Sequence, residues 1–219
     1  MSDADGKAAL FDQLARVGKA LASGKRLALL DLLAQGERTV DGLARAAGLG
    51  VTTTSAHLQI LKQAHLVATR RDGVRVFHRL ADQDVAALYV RLRDVATAHL
   101  ADAAAARDAY LGPGAEQITR EELLARVRAG DAMVLDVRPV EEYAAGHLPG
   151  AVNIPVEELP ARLAELPADV EIVAYCRGAH CVFAHDAVRY LTGAGRAASR
   201  LSDGILEWRL AGHPVEAGS

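Results

Sequence analysis

A glycine-proline-glycine segment near the middle of this 219-residue chain limits what the chain can fold into. Gly112-Pro113-Gly114 follows a long helical pattern and precedes Thr119-x-x-Glu122. A helix cannot continue through the segment because proline lacks an N–H group, whereas Thr-x-x-Glu has the spacing of a capping box that begins a helix. The sequence therefore predicts two domains, residues 1–112 and 117–219, with the junction at about residues 112–117.

The composition indicates a globular chain without a membrane span. Apolar residues make up 51% and charged residues 24% of the chain, which excludes a disordered or collagen-like protein. The longest stretch without Asp, Glu, Lys or Arg, Ala46–Leu61, is shorter than the ~20 apolar residues that cross a bilayer. The beginning, Met1–Gly6, is acidic where an export signal is basic and then apolar. We therefore expect a cytoplasmic protein with no membrane partner.

The two predicted domains differ in charge. Residues 1–112 contain 15 basic and 12 acidic side chains, and residues 113–219 contain 10 basic and 16 acidic ones. Within Arg38–Arg79, seven basic residues stand against two acidic ones. Such a segment is typical of a surface that contacts nucleic-acid phosphates, although composition alone fits a solvated basic face equally well.

Helical periodicity in the first domain predicts four short helices with tight turns between them. Apolar residues recur at helical spacing in Leu10–Leu21, Leu27–Leu33, Val40–Ala47 and Leu58–Leu66. The fourth helix begins with the hydroxyl residues Thr52-Thr53-Thr54-Ser55. This order favours a helix-turn-helix, whose second helix presents short polar side chains to DNA, over a helix cap with surface hydroxyls.

A β-hairpin is predicted next. Leu66–Arg70 and Val74–Leu80 alternate apolar and polar residues around Asp72-Gly73, which is a strong hairpin-turn signal. A polar helix followed by an arginine-rich hairpin favours a winged helix that binds double-stranded DNA, with the helix in the major groove and the wing along the phosphates. The candidate DNA-binding residues are Thr52, Thr53, Thr54, Ser55, His57, Gln59, Lys62, Arg70, Arg71 and Arg75.

The chain from Ala20 to Leu80 resembles the ArsR/SmtB family of bacterial repressors. The matching segments are Ala20–Leu33, Val40–Ala44, Ser55–Leu61 and Ala64–Val67. The resemblance implies a homodimer formed by the first and last helices of the domain. Because such a pair is symmetric, we expect a palindromic operator with half-sites roughly 10 bp apart.

The segment after the hairpin suits a dimer interface and lacks a complete metal site. Apolar residues at three- and four-residue steps predict one long helix from about Asp82 to Tyr110. Many members of the family that the chain resembles sense metals through thiolates before the recognition helix or through the last helix. Thr39–Leu43 contains no cysteine, and only His99 with Asp102 remains on the last helix, so we expect no metal and no cofactor.

Short β-rich segments alternate with helical segments in the second domain, which predicts a parallel α/β sheet. The predicted strands are Met133–Val137, Ala151–Ile154, Glu171–Tyr175 and Ala197–Leu201. Cys176 directly follows the third of these strands, and the segment Cys176–Cys181 leads into a helix, Val182–Leu191. Backbone N–H groups at such a position lower a thiol pKa, so Cys176 is a candidate nucleophile, whereas the alternative is a buried cysteine at the end of a strand.

Residues 117–217 resemble the rhodanese (sulfurtransferase) family. The matching motifs are Leu135–Pro139, Glu142-Tyr143, Gly146–Pro155, Asp203-Gly204, Trp208 and Ala211–Val215. The resemblance implies that Cys176 is the catalytic cysteine, which takes a sulfane sulfur as a persulfide from a donor such as thiosulfate or polysulfide. We interpret the motif residues Asp136, Arg138, His147 and Asn153 as structural rather than catalytic.

Three neighbours of Cys176 are candidates for substrate binding or resolution. Arg177 is placed to attract an anionic donor, and His180 to assist proton transfer, although each is equally explained as a loop residue. Cys181 departs from the family pattern, because related phosphatases and arsenate reductases need an arginine near this position. A second thiol allows a persulfide on Cys176 to be resolved, and the alternative is a small residue at the start of a helix.

These features predict a mainly α winged helix-turn-helix domain followed by a rhodanese-like α/β domain. The favoured function is a DNA-binding repressor whose DNA affinity changes when the second domain receives a sulfane sulfur. The alternatives are an active sulfurtransferase tethered to a DNA-binding module and a constitutive repressor with an inactive rhodanese that acts as an interaction module.

Overall fold

A computed structural model describes the backbone of residues 3–218 and the side chains of residues 5–218. Met1 and Ser2, which begin the acidic segment considered above, lie outside the described residues. The chain forms two compact units, one that ends at Tyr89 and one that begins at Val90. This division lies before the glycine-proline-glycine segment. The helix that ends at Leu111 belongs to the second unit, because the Arg189 guanidinium donates to the Leu111 carbonyl at 3.0 Å. The predicted domain bounds, 1–112 and 117–219, stay a prediction.

The first unit consists of helices and a three-stranded antiparallel sheet of order β1-β3-β2. Its elements are α1 (Asp3–Leu21), α2 (Gly24–Gln35), β1 (Arg38–Thr39), α3 (Val40–Ala46), α4 (Val51–Gln63), β2 (Val67–Asp72), β3 (Arg75–Leu80) and the first part of α5 (Gln83–His99). The four predicted helices and the hairpin are confirmed, and β1 is an element that the apolar pattern did not indicate because it has only two residues.

Leucines from the three helices of the helix-turn-helix region fill the core of the first unit. The buried members are Leu29, Leu30, Leu32, Leu33, Leu43, Leu58 and Leu61. Thr39 caps α3, because its side-chain oxygen accepts the Gly42 N–H at 3.2 Å. The turn between α3 and α4 uses Gly48 at a φ of 62°, a conformation that favours glycine. These contacts fix the angle at which α4 leaves α3.

The hairpin turn lies one residue later than the sequence predicted. Asp72 is still part of β2 and pairs with Arg75, so the two turn residues are Gly73 and Val74 rather than Asp72 and Gly73. Gly73 has a φ of 56°, and a glycine at the first central position is the requirement of a type II′ turn. The tip of the hairpin is therefore formed by the fully exposed Val74.

The predicted long helix after the hairpin is wrong, because it is two helices. α5 ends at His99, and α6 (Ala101–Leu111) follows it. Leu100 has extended backbone angles, and its carbonyl accepts the N–H groups of Ala103 and Ala104 at 3.0 and 3.1 Å. Asp102 in the first turn of α6 favours a new helix start, because a carboxylate stabilises the positive end of a helix.

The rest of the second unit is a five-stranded parallel sheet of order β4-β8-β7-β5-β6 with helices around it, so the predicted fold class is confirmed. After α6 its elements are β4 (Gln117–Ile118), α7 (Arg120–Ala129), β5 (Ala132–Asp136), α8 (Val140–Ala144), β6 (Val152–Asn153), α9 (Leu159–Arg162), β7 (Glu171–Tyr175), α10 (Val182–Gly193), β8 (Ala198–Leu201) and α11 (Ile205–Leu210). The predicted capping box at Thr119 and Glu122 is present at the start of α7.

The central strand β7 contributes to a core on each face of the sheet. Ile172 and Ala174 belong to one buried cluster, and Val173 and Tyr175 belong to the other. This alternation follows from the two-residue period of a strand. Burial on both faces fixes the position of the strand, and therefore the position of Cys176 at its carboxyl end.

A buried ion pair joins the end of β5 to the segment that follows it. The Asp136 carboxylate accepts the Nε of Arg138 at 3.0 and 3.1 Å, and both side chains are completely buried. Tyr175 donates its hydroxyl to Asp136, and Asn153 donates its amide to the carbonyl oxygens of Asp136 and Arg138 at 3.0 Å. His147 stacks on the ring of Tyr143. These four motif residues hold the sheet edge, in line with the structural interpretation.

Within residues 3–218 no helix is both long and apolar enough to cross a lipid bilayer.

Candidate functional site

The helix α4 and the β2–β3 hairpin form a polar groove on the first unit. The groove has a volume of about 220 Å³ and is lined by Ser55, Leu58, Gln59, Lys62, Thr69, Arg71, Val76 and His78. Four of the predicted DNA-binding residues are therefore on one surface, and Thr52 and Thr53 are exposed one turn earlier on the same helix. Polar side chains of a recognition helix beside a basic hairpin form the arrangement that reads DNA.

Two of the predicted helix residues, Thr54 and His57, are not exposed on the surface of the helix. Thr54 is buried, and its hydroxyl donates to the Gly50 carbonyl at 3.0 Å, so its prediction as a DNA contact is wrong. His57 is half-buried, and its Nδ1 atom has no hydrogen-bond partner among the described residues.

The arginines of the hairpin differ in the charge that they offer. Arg70 donates to both carboxylate oxygens of Glu37, which raises the pKa of Arg70 and lowers that of Glu37. Arg71 and Arg75 are exposed, and neither has an ion-pair partner in the described part of the chain. Arg71 therefore offers its full charge inside the groove, whereas the charge of Arg70 is largely neutralised before DNA arrives.

We expect Arg71→Ala to weaken binding to duplex DNA more than Arg70→Ala. Each phosphate contact contributes about 0.9 to the slope of log affinity against log salt, so Arg71→Ala reduces the steepness by about that amount. Arg70→Ala changes the slope less, because Glu37 already neutralises Arg70. Fluorescence anisotropy over a salt series measures both slopes, and an unchanged slope in Arg71→Ala would contradict the placement of the groove on DNA.

The second site is the six-residue segment Cys176–Cys181, here called the cysteine loop, between β7 and α10. The Cys176 sulfur lies 3.4 Å from the Cys181 carbonyl oxygen and is 2% exposed. Backbone N–H groups of Gly178 and Ala184 point at the same sulfur. Cys181 is the N-cap of α10 and is partly exposed. The two thiols therefore share the positive end of a 12-residue helix.

Burial and the pairing of the two thiols shift their pKa values in opposite directions. Burial, followed by the hydrogen bond to Cys181, raises the pKa of the Cys176 thiol well above its usual value. The hydrogen bond from Cys176 lowers the pKa of Cys181, and the N–H groups of Arg177 and Phe183 act in the same direction. The expected thiolate at Cys176 stays a prediction, and burial acts against it.

Arg177 does not serve as a free anion receptor in this arrangement. Its guanidinium donates to both oxygens of the buried Glu142 at distances of 2.6 to 3.1 Å, and it lies over the Phe183 ring at 5.0 Å. A bidentate pair of this kind neutralises the arginine. The placement argues against the predicted attraction of an anionic donor by Arg177, and gives Arg177 the role of fixing the loop to α8.

Alkylation with iodoacetamide tests these pKa shifts. We expect Cys181 to react first and at a pH below that of an ordinary thiol, because it is the more exposed sulfur and its pKa is lowered. Cys176 in Cys181→Ser reacts only at higher pH, since burial raises its pKa. Peptide mapping by mass spectrometry distinguishes the two sites, and preferential alkylation of Cys176 at neutral pH would contradict the assignment.

The start of α11 is hydrogen-bonded to the cysteine loop. The N–H groups of Ile205 and Leu206 donate to the carbonyl oxygens of Cys176 and Arg177 at 3.0 and 3.2 Å. A Cβ atom on Gly204 would lie 2.3 Å from the Gly178 nitrogen and 2.5 Å from the Cys176 carbonyl oxygen. Only glycine permits this approach, which explains the Asp203-Gly204 motif in physical terms.

Glu207 connects the cysteine loop to helix α5. One carboxylate oxygen accepts the Gly204 N–H at 3.0 Å, and the other lies 3.4 Å from the Ala179 nitrogen and 2.8 Å from an Arg93 nitrogen. Both ion-pair partners are largely buried, at 13% exposure for Arg93 and 12% for Glu207. Any movement of the loop at Gly178 or Ala179 therefore changes the position of a carboxylate that is bonded to α5.

His180 borders a cavity next to the loop, within the second unit. Burial, followed by the charges of Arg93 and Arg107, lowers its pKa, so the imidazole is neutral at neutral pH. His180 lines this cavity together with Arg200 and His185. The role of His180 in proton transfer stays a prediction.

Sequence reasoning missed the roles of Glu142, Glu207, Arg93 and Arg200. Glu207 had a detectable signal, since a glutamate three residues after the start of a helix can accept the N–H of the N-cap residue, as Glu207 does from Gly204 at 3.0 Å. The ion pairs of Arg93 with Glu207 and of Arg177 with Glu142 had no signal in the sequence, because each joins residues far apart in the chain. Within residues 5–218 no group of three or more His, Cys, Asp and Glu side chains is placed to hold a metal ion.

Comparison with protein families gives one match in each unit. The model of the bacterial regulatory proteins of the arsR family matches residues 23–69, and that of the rhodanese-like domain matches residues 119–211. The first range contains α2 to α4, and the second contains the strands β5 to β8 and the cysteine loop. Both resemblances drawn from the sequence are confirmed.

Individual relatives cover either the whole chain or one of its units. The HTH-type transcriptional regulator Rv0324 of Mycobacterium tuberculosis is 59% identical over 98% of this chain and 95% of its own length. A sulfurtransferase of Allochromatium vinosum is 33% identical over 40% of this chain and 80% of its own length. An NMR structure of the homodimeric winged helix-turn-helix domain of a possible ArsR-family regulator from Mycobacterium bovis is 55% identical, covers 47% of this chain and 93% of its own, and has a TM-score of 0.43. The chain belongs to the ArsR family of transcriptional regulators and carries a C-terminal rhodanese-like domain.

Proposed function

We propose that the protein is a regulator whose affinity for operator DNA is set by a sulfane sulfur on Cys176. The observation that carries this proposal is the contact of Glu207 with both the Ala179 nitrogen of the cysteine loop and the Arg93 guanidinium of α5. A chemical change at the loop thereby has a direct route to a helix that the DNA-binding unit also uses.

Helix α5 takes part in both compact units. Val85 and Tyr89 pack in the core of the first unit, where the Tyr89 hydroxyl donates to Asp31 of α2 at 3.1 Å. Arg93 follows Tyr89 by four residues, which is about one helical turn, and belongs to the second unit. A shift or rotation of α5 at Arg93 therefore acts on the helix that supports α2 and, through the core, α4.

The thiol pair supplies the chemistry for sulfur acceptance. The Cys176 sulfur attacks the outer sulfur of a persulfide R–S–SH, the S–S bond of the donor breaks, and the leaving thiol R–SH carries away the Cys176 proton. The product is Cys176–S–SH. The Cys181 sulfur then attacks the inner sulfur of this persulfide, which gives a Cys176–Cys181 disulfide and releases H₂S. Neither step needs an added oxidant.

Modification of Cys176 forces the cysteine loop to move. Its sulfur is almost completely buried, and backbone atoms of Gly178, Cys181 and Ala184 already surround it. Close-packed interiors do not accept an additional atom without rearrangement. The loop cannot retreat towards α11, because Gly204 is already in contact with Gly178, so the shift moves Ala179 and, with it, Glu207.

We propose that a second copy of the chain covers the apolar faces of α1 and α5. Leu10, Phe11 and Leu14 are more than half exposed on α1, and Leu88, Leu92 and Val95 are exposed on α5. Several exposed large apolar side chains on one helix mark an interaction surface. A symmetric dimer presents two α4 helices to two half-sites, which is the basis for proposing a palindromic operator.

Mass spectrometry of the full-length protein tests sulfur acceptance. Polysulfide or thiosulfate is expected to add about 32 Da, the mass of one sulfur, to Cys181→Ser, which cannot form the disulfide, and to the wild type until Cys181 resolves the persulfide. Cys176→Ser is the matched variant and is expected to show no addition. Addition to Cys181 instead, located by peptide mapping, would contradict the proposal.

A sulfurtransferase activity is the second candidate function. It is favoured by the sulfurtransferase of Allochromatium vinosum, which this chain matches over 80% of that protein's length. Repeated transfer of sulfur from thiosulfate to cyanide distinguishes the two functions. A regulator is modified once per chain, as the persulfide or the disulfide, whereas an enzyme consumes many equivalents of thiosulfate.

A further inference from the structure

A cavity of about 480 Å³ lies beside the cysteine loop, between α6, α10 and β8. Ala179 and His180 of the loop form one wall, and Arg107, Asp108 and Leu111 of α6 form another. All of these residues belong to the second unit. The volume is within the range of about 300–1,000 Å³ that small organic ligands occupy in proteins.

Arg200 on β8 brings to the cavity a guanidinium that has no ion pair among the described residues. Its terminal nitrogens donate to the carbonyl oxygens of Leu201 and Ser202 and to the amide oxygen of Gln117, but to no carboxylate. Its Nε atom is buried and has no hydrogen-bond partner among the described residues. The charge of Asp203 acts on Arg200 against the effect of burial, but without an ion pair between them. A guanidinium without a bonded carboxylate favours an anionic group in the cavity.

His185 is a second polar group without a partner at this cavity. The side chain is 4% exposed, and neither ring nitrogen has a hydrogen-bond partner in the described part of the chain. Burial and the charges of Arg200 and Arg189 lower its pKa to about 4, so the ring is neutral and offers one donor and one acceptor. A buried polar group without a partner is costly, which indicates that a ligand completes this wall.

The cavity lies next to the cysteine loop. His180 borders the cavity and is adjacent in sequence to Cys181. Ala179, which also lines the cavity, belongs to the same cysteine loop. A ligand in the cavity is therefore adjacent to the loop that carries the two thiols.

We propose that this cavity binds the carboxylate of a small organic thiol, as the thiol or as its persulfide, and thereby presents its sulfur to the cysteine loop. Arg200 holds the carboxylate, and the neutral His185 ring bonds a polar group of the organic body. The apolar wall at Leu111 and Ala115 suits an organic ligand better than an inorganic oxyanion. This inference rests on the proposed function and names the class of sulfur donor or acceptor.

Titration calorimetry with the full-length protein tests the site without any sulfur transfer. The probes are S-methyl-N-acetylcysteine, which cannot transfer sulfur, and its carboxamide, which lacks the negative charge. We expect the acid to bind at least about tenfold more tightly than the amide, which is the scale of one charge-assisted hydrogen bond. Equal affinity of the wild type for acid and amide would overturn the proposal, and this comparison needs no variant.

Variants identify the residue that binds the carboxylate. Arg200→Gln is expected to abolish the preference for the acid, Arg200→Lys to keep part of it, and Arg162→Gln, an exposed arginine on α9, to leave it unchanged. An unchanged preference in Arg200→Gln, or competition by sulfate as strong as that by the acid, would overturn the assignment. The intact mass of the wild type after treatment with polysulfide tests sulfur acceptance at Cys176 separately, so a failure of this site is distinguishable from a failure of sulfur acceptance.

Discussion

Replacing Asp136 with alanine is expected to lower the free energy of unfolding of the second unit by about 3–5 kcal/mol. The substitution removes the Asp136 carboxylate from the completely buried Arg138 guanidinium. It also removes the acceptor for the Tyr175 hydroxyl and for the backbone N–H of Arg138, which donates to Asp136 at 2.9 Å. Breaking a buried ion pair costs far more than breaking an exposed one.

Urea denaturation followed by tryptophan fluorescence measures this effect. Trp208 is the one tryptophan of the chain and is buried in the second unit, so its signal reports on that unit alone. The matched control is Glu165→Ala, which breaks the exposed pair with Arg162 and is expected to change the free energy of unfolding by at most about 0.5 kcal/mol. Similar midpoints for the two variants would contradict the structural role of Asp136.

Arg93→Gln is expected to abolish the response of DNA binding to sulfur while leaving sulfur acceptance intact. The variant keeps the bonds of Glu207 to Gly204 and Ala179 and removes only the ion pair to α5. Allosteric coupling typically amounts to about 1–3 kcal/mol, or about 5–150-fold in affinity. The ratio of operator affinities between the thiol and persulfide states is expected to fall from this range to about one.

Arg91→Gln is the matched control, because it removes the same charge from an exposed position on the same helix. It is expected to respond to sulfur as the wild type does. Intact mass after treatment with polysulfide shows whether each variant carries the sulfur. A full response in Arg93→Gln would mean that the Arg93–Glu207 contact does not carry the signal.

Local patterns predicted most of the fold. The helices α2 to α4 follow from leucine spacing, and the parallel strands follow from short β-rich segments with the correct separation. These features succeed because each depends on neighbours within one turn or one strand. The break at Leu100 was missed because no glycine or proline marks it, and the alanine-rich segment fits one helix as well as two.

The candidate sites were predicted in part. The position of Cys176 follows from the end of β7, which the sequence defines, and the groove of α4 follows from the helix-turn-helix pattern. The electrostatic character of each arginine does not follow, because Glu37, Glu142 and Glu207 come from distant parts of the chain. The same holds for Cys176, whose burial depends on the packing of α11 against the loop.

The affinity of the full-length wild type for operator DNA, measured before and after persulfidation at one fixed salt concentration, tests the central claim most directly. The operator is a duplex selected from random sequences by the unmodified protein. We expect persulfidation at Cys176, verified by intact mass, to weaken binding by about 5–150-fold, and Cys176→Ser to bind the same duplex tightly with and without polysulfide. Equal affinity of the wild type as thiol, persulfide and disulfide would contradict the account and leave the tethered sulfurtransferase in its place.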